Sequence, residues 1–217
     1  MTQQKTCPDL FTILSEGARF LRIPVTEPAF SKMIKYIELL GSWNQKVNLT
    51  AITDPRRIAV VHFLDSLTIF KVWEDSSGKN LLDIGSGAGF PGLVLKIVDD
   101  SIRLTLLDKS SKRIVFMKHV ARELGLSDIR FVNRTTEDFF SSERSQSFDV
   151  VTFRAFPKPS LDSLDVKRFL LPHGSLIRMY SESPDKSQTL LLHENCRWEG
   201  FLPYFNLKRT VIRYSFP

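Results

Sequence analysis

Cysteine is scarce: Cys7 and Cys196 are the only two in 217 residues, far apart, with no C-x-x-C spacing and no clustered histidines. That pattern excludes a disulfide framework and a zinc site as organising devices, and it suits a reducing cytoplasm. No stretch approaches the roughly 18 apolar residues of a membrane span. The opening Met-Thr-Gln-Gln-Lys lacks the apolar core of a secretory signal, so neither membrane nor metal is expected. Repeats, low-complexity tracts and long linkers are also missing. With 42% hydrophobic and 25% charged residues, the composition is that of an ordinary globular protein, long enough for one moderate domain and an appended subdomain. Acids are in deficit, 24 against 30 Lys and Arg, for a net charge of +6. This favours a polyanionic partner as a weak prior. The excess is spread along the chain, with a basic end: Phe201 to Pro217 carries Lys208, Arg209 and Arg213 and no acid.

One nucleotide-binding signature is absent as well: without Gly-Lys-Ser/Thr there is no P-loop, and the glycine-rich turn opens with the spacing G-x-G-x-G where a dinucleotide fingerprint opens with G-x-G-x-x-G. What stands there is Leu81-Leu82-Asp83-Ile84-Gly85-Ser86-Gly87-Ala88-Gly89-Phe90-Pro91-Gly92, the stretch around which the chain is organised. Asn80 to Ile84 reads as a buried strand and Phe90 to Val98 as a helix. Gly85, Gly87 and Gly89 between them let a ligand approach the backbone. The plainer alternative is a turn that lets a helix pack tightly on a sheet. The G-x-G-x-G spacing, with Asp83 two residues before the first glycine, resembles motif I of class I S-adenosylmethionine-dependent methyltransferases. Such a cofactor has no pyrophosphate but carries an ammonium group and ribose hydroxyls, which Asp83 and Asp108 are suited to bind.

Before this turn the chain predicts helices: residues 8–21, weakened by Gly17; Thr26 to Gln45, with Phe30, Met33, Ile34, Ile37, Leu40 and Trp43 at helical spacing; and a helix opened by Asp54-Pro55 that runs to about Val72. After it, strand and helix alternate, which implies a largely parallel sheet with ligands at the strands' carboxyl ends. The expected elements are strands Leu104–Asp108, Ile129–Asn133, Phe148–Phe153 and Gly174–Tyr180. Helices are expected from a Ser110 cap to Gly125, over Leu161–Leu171, and from Ser183-Pro184 to about Asn195. A final hairpin, Trp198–Tyr204 and Val211–Phe216 joined through Asn206-Leu207-Lys208, completes the pattern. The chain thus divides into an N-terminal helical subdomain, residues 1–76, contributing to the substrate cleft, and an α/β domain, 77–217.

Several polar residues fall where chemistry could sit. Asp108 ends a strand, placed either for ribose hydroxyls or as a helix N-cap. Thr136 and Glu137 follow the next strand, where they could hold an adenine edge; Glu137 and Asp138 are otherwise a solvated pair. Arg154 closes the fourth strand, placed to orient cofactor or substrate. Trp43 to Thr50 ends the second helix in polar groups that include Asn48. His62, Asp65 and Ser66 share one helical face. Ser66 lacks a nucleophile elbow, so the face is either a surface hydrogen-bond group or part of a substrate cleft. No Asn-Pro-Pro-Tyr or Asp-Pro-Pro-Tyr follows the fourth strand, which points away from an exocyclic amine as methyl acceptor.

Taken together, Trp43-Asn44-x-x-x-Asn48-Leu49-Thr50-Ala51-Ile52, His62-x-x-Asp65-Ser66-Leu67, the glycine motif and Arg154-Ala155-Phe156 resemble the small-subunit ribosomal RNA methyltransferase G family, formerly glucose-inhibited division protein B. The resemblance implies a class I methyltransferase fold, a Rossmann-like seven-stranded α/β sheet with an N-terminal helical extension. It implies methyl transfer from S-adenosylmethionine, leaving S-adenosylhomocysteine, to N7 of guanine 527 in a 16S rRNA loop. The partner is then the small ribosomal subunit, met by a cytoplasmic monomer. By position, Gly85, Phe90, Thr136, Glu137 and Arg154 would contact cofactor beside Asp83, Gly87, Gly89 and Asp108. Asn48, His62 and Arg154 fall in the active cleft, and Asn48, Thr50, His62 and Arg209 on RNA. The chain departs from the family at Thr135, where an Arg is common and here stands one earlier as Arg134, and at Met179-Tyr180-Ser181, where Lys-Gly is common. The competing readings are a class I methyltransferase acting on another RNA, a small molecule or a protein, and a noncatalytic RNA-binding module.

Overall fold

In the computed structural model the described residues are 8–142, 148–154, 166–181, 184 and 193–216. Helix α1 (Leu10–Phe20) is capped by Asp9, whose carboxylate accepts from the Thr12 N–H at 2.7 Å. Helix α2 (Glu27–Asn44), with Pro28 in its first turn, buries Phe30, Met33, Tyr36, Ile37 and Leu40 along one stripe. Asn44 then folds the chain that follows: its Oδ1 accepts from the Leu49 and Thr50 N–H groups at 2.7 and 2.9 Å, and its Nδ2 donates to the Thr50 carbonyl at 2.9 Å.

The helix expected after Asp54 forms, but its winding changes along its length. It runs as α3 (Pro55–Ile58), a π-helical segment (Ala59–Leu64), α4 (Asp65–Leu67) and a final 3₁₀ turn (Thr68–Lys71). Such π segments cluster at functional sites, and this one carries His62. Gly17 of α1 packs against it: a Cβ there would stand 2.2 Å from Leu64 Cδ1. The glycine that weakens α1 as an isolated helix is what allows the two to touch.

The sheet has seven strands in the order β3-β2-β1-β4-β5-β7-β6, the arrangement the family resemblance implies. Strands β1 (Asn80–Ile84), β2 (Arg103–Leu107), β3 (Ile129–Val132), β4 (Phe148–Arg154) and β5 (Leu170–Tyr180) are parallel, while β6 (His193–Leu202) and β7 (Leu207–Ser215) form an antiparallel hairpin on β5. Helix α5 (Gly92–Val98) follows β1, α6 (Ser111–Glu123) follows β2 and α7 (Thr136–Ser142) follows β3. One core lies between the sheet and α1, α2, the 55–71 run, α5 and α6, and so holds residues from both sides of position 76; a second lies on the other face around Phe139, Phe140 and Phe169. No helix of the described residues is long and apolar enough to cross a membrane.

Several expectations need correction. Leu170 and Leu171, expected to end a helix, belong to β5; residues 161–165 of that helix lie outside the described residues. The register jumps from Phe148↔Leu170 to Val150↔Ser175, with His173 at φ 67°, so a bulge takes up Pro172 without ending the strand. His193 to Asn195, expected to be helical, open β6, and residues 182, 183 and 185–192 are outside the description. The hairpin turn sits at 203–206, earlier than expected, because Tyr204 and Asn206 take the positive φ values. Ser110 stands at the N-cap of α6 but its hydroxyl makes no capping bond. Helix α7 was not anticipated; Thr135 and Asp138 start it with a reciprocal cap, at 2.8 and 3.1 Å.

Candidate active site

The glycine turn lies at the carboxyl end of β1, where ligands of open α/β sheets bind. The backbone N–H groups of Gly85 and Ser86 donate to the Leu107 carbonyl, and Gly87 N–H donates to Asp108 Oδ2 at 2.9 Å. Gly89 is at φ 91°, and a Cβ on it would meet the Tyr36 hydroxyl at 2.5 Å. Only glycine suits both the dihedral and the contact, because Tyr36 reaches across from α2 to donate to the Ala88 carbonyl.

Asp83 is fully buried. Its Oδ2 accepts from Gly92 N–H at 2.9 Å, while Oδ1 has no hydrogen-bond partner among the described residues. Burial pushes its pKa up to about 7; the Gly92 N–H and the Arg154 charge oppose that rise, and Asp108 adds to it. A half-satisfied buried carboxylate at the end of β1 fits an ammonium group, which would pair the charge and supply the missing donor. Asp108, 3% exposed, accepts from Gly87 N–H, Ser110 N–H (2.8 Å) and Arg113 Nη1 (3.3 Å). It therefore serves as a strut between the turn and α6, and a ribose diol would share its remaining lone pairs. Thr136 and Glu137 stand in the first turn of α7, the former half-buried and the latter exposed.

The residues expected on the substrate side meet around Phe90. Its ring, 4% exposed, is stacked between Tyr36 (centroids 5.3 Å, 7°) and His62 (4.8 Å, 24°). Burial of that ring means Phe90 shapes the turn and supports neighbours more than it offers a face to a ligand. Arg154 lies over the same ring at 5.5 Å and donates to His62 Nδ1 (3.2 Å) and the Val61 carbonyl (3.3 Å). Since a guanidinium only donates, Nδ1 must accept, so the Nε2–H tautomer faces the Thr50 hydroxyl at 2.9 Å. Burial, and then the Arg154 charge, lower the His62 pKa to about 3, so the ring is neutral at physiological pH. Thr50 Oγ1 also accepts from Ile52 N–H at 3.1 Å, leaving its own proton to donate elsewhere.

Asp65, expected only as one member of the helical face it shares with His62 and Ser66, is the centre of the ion-pair network. It is buried, with Oδ1 2.9 Å from Arg209 Nε and Oδ2 3.5 Å from Arg154 Nη1. Burial pushes its pKa up, while the two arginines oppose that rise. It ties the 55–71 run to β4 and β7 at once. Arg209, expected on RNA, is 15% exposed and is held by Asp65 and by the Lys208 carbonyl. Of the expected face, His62 and Asp65 converge on Arg154, whereas buried Ser66 donates back to the His62 carbonyl at 2.5 Å. Asn48 is exposed on the loop that Asn44 shapes. Tyr36 is a residue not named from the sequence; the signal was a hydroxyl on an otherwise apolar stripe. Ala155 and Phe156 lie outside the described residues.

Residues 29–205 match the model of a family described as rRNA small subunit methyltransferase G, or GidB. Proteins named ribosomal RNA small subunit methyltransferase G are similar to the chain. That of Geobacillus sp. (strain WCH70) is 38% identical over 199 residues, covering 88% of this chain and 84% of the relative. That of Clostridium botulinum (strain Loch Maree) is 35% identical over 183 residues, covering 84% and 77%. That of Desulforamulus reducens is 40% identical over 151 residues, covering 69% of this chain but 63% of the relative, under two thirds of its length. Among solved structures, the chain resembles an S-adenosylmethionine-dependent methyltransferase of Aquifex aeolicus (TM-score 0.54, 16% identity, 82% and 98% of the two chains). It also resembles MtNAS in complex with MTA and tNA (TM-score 0.59, 14% identity, 94% and 75%). At such identities these two likenesses speak for the fold.

Proposed function

Because the chain belongs to the rRNA small subunit methyltransferase G family, we propose that it transfers a methyl group from S-adenosylmethionine to N7 of guanine 527 in the 16S rRNA of the small ribosomal subunit, acting in the cytoplasm as a monomer. What supports this most is the meeting of two motifs far apart in sequence: His62 of the N-terminal helices stacks on Phe90 of the glycine turn, with Arg154 over both. That contact supports reading the cofactor side and the substrate side as one site.

Bound S-adenosylmethionine supplies an electrophilic methyl on its sulfonium. Asp83 would hold the ammonium group through its unpartnered Oδ1, Asp108 the ribose hydroxyls, and the first turn of α7, Thr136 and Glu137, the adenine. The G-x-G-x-G turn allows close approach of the ligand to its backbone. Guanine N7 has a lone pair and no proton, so the attack needs no general base. What the protein contributes is alignment and exclusion of water.

His62 suits that role. Being neutral, it adds no cation beside a purine that becomes positive on methylation, and its proton is committed to Thr50. The Thr50 hydroxyl is free to donate to the guanine edge next to N7, and Asn48 offers a second donor from the exposed loop. Arg154 is held by Asp65, His62 and the Val61 carbonyl, which supports a role in orienting His62 and Phe90. Lysines and arginines on the surface would add salt-sensitive phosphate contacts, with the target base unstacked from loop RNA.

The test is transfer of tritiated methyl into small subunits that lack the modification, followed by mapping of the labelled nucleotide. Label at guanine N7 is the expected result. Label on another atom, or only on free nucleoside or protein, would overturn the assignment.

A further inference from the structure

We propose that the tip of the β6–β7 hairpin is a stacking surface for unpaired bases of the RNA substrate, lying beside the methyl-transfer site and separate from it. This deepens the function proposed above and rests on it.

The observation that points there is a concentration of exposed aromatic rings. Large hydrophobic side chains exposed among the described residues are Phe11, Phe20, Val115, Phe201, Tyr204 and Phe205. Three of these crowd into the five positions 201–205, at 49%, 46% and 42% exposure. Phe20, 63% exposed, is a fourth. It stands one turn beyond Glu16 on α1, and the Tyr204 hydroxyl donates to Glu16 Oε2 at 2.9 Å, mooring the tip beside that helix. Scattered exposed rings need no explanation, but a cluster marks a contact surface.

The charges around the cluster select the partner. Lys208 faces Phe201 across the ladder, and Arg19 lies on the adjoining end of α1. The nearby acids are engaged, Glu16 by Tyr204 and Arg19 and Glu199 by Arg197, and from Phe201 onward the chain has no acid at all. Aromatic rings interleaved with cations are what single-stranded nucleic acid requires: planes for bases and charge for phosphates.

Position completes the case. Tyr180, the last residue of β5, pairs with Thr210, so Leu207–Arg209 and the turn overhang the carboxyl end of the sheet, the rim that carries the glycine turn. Arg209 reaches Asp65 in the site. Phe205 is four residues away, on the order of 13 Å of extended chain, within reach of the neighbours of a base held at Thr50 and Asn48. The family model's match ends at residue 205, inside this tip, so its Lys208 side lies beyond the matched region.

The experiment replaces Phe201 and Phe205 together with Ser, with Phe205→Trp as the variant that keeps a ring. Methyl transfer to small subunits lacking the modification gives kcat and KM; calorimetry gives S-adenosylmethionine affinity; sedimentation gives oligomeric state. A stacked base contributes about 1–3 kcal/mol, so KM should rise ten-fold or more in the double variant, with kcat and cofactor affinity unchanged and KM retained in Phe205→Trp. An active wild type and an unmoved KM in the double variant would overturn the surface alone. So would a change in oligomeric state with KM unmoved, which would make this the contact of a second copy. Wild-type protein that methylates no small subunit would overturn the proposed function and this surface with it.

Discussion

Two buried carboxylates carry the most information at the scale of single residues. Asp83 holds a proton up to about pH 7 because burial disfavours its charge and Oδ1 lacks a donor. An ammonium group binds the ionised form, so S-adenosylmethionine affinity should rise with pH, by roughly twenty-fold between pH 5.5 and 7.5, until ionisation is complete. Asp83→Asn should bind weakly and show a flat profile; calorimetry across that range checks both. Asp65 acts on charge already present. Removing its charge in Asp65→Asn leaves Arg154 and Arg209, with side chains 21% and 15% exposed, facing each other without a counter-ion. The expected cost is about 3 kcal/mol, near the low end for breaking a buried pair, read as a shift in denaturant midpoint. Methyl transfer should fall in addition, since Arg154 loses the anchor that aims it at His62.

Among the elements, the α1 packing against the π segment makes a prediction opposite to helix propensity. Gly17→Ala would stabilise an isolated helix by up to about 1 kcal/mol, yet here a methyl would collide with Leu64. We expect a net loss of about 1–3 kcal/mol that disappears when Gly17→Ala is made in a Leu64→Ala background, itself destabilised by the loss of a buried leucine, as read from a double-mutant cycle of thermal or denaturant unfolding. This example also marks how far sequence carried. The parallel strands, α2 and the glycine turn were legible because apolar periodicity and glycine spacing are local signals. The bulge in β5 was not, since Leu171-Pro172-His173-Gly174 reads locally as a chain break and its strand pairing depends on partners in β4 and β7. Helix α7 hid behind a pair of phenylalanines and a two-residue cap. In the site, His62, Asp65, Arg154 and Asp83 could be named from motifs, but the role of Asp65 and the presence of Tyr36 rest on long-range contacts, to β4, β7 and the Ala88 carbonyl, that no local pattern encodes.

For the whole molecule, two of the perturbed groups of the site, His62 and Asp83, set opposite demands on folding. His62 in the folded protein has its pKa lowered to about 3 from 6.5. The unfolded chain therefore binds the extra proton between those values, and stability rises with pH there, lost again as pH falls toward 3. Asp83 is raised to about 7 from 3.8. Here the folded protein holds the extra proton, so its contribution is complete below about pH 3.8 and is lost as pH climbs through 7. The windows overlap between about pH 4 and 6.5, and the slopes, each up to roughly 1.4 kcal/mol per pH unit, cancel. The protein should accordingly show little pH dependence of stability from these groups in that range. Each single substitution should uncover the other group: Asp83→Asn should give a protein that gains stability as pH rises from 4 to 6, and His62→Gln one that loses it. Denaturant midpoints measured at half-unit steps would decide. Parallel curves for the wild type and both variants would mean that neither side chain carries the displaced proton affinity described here.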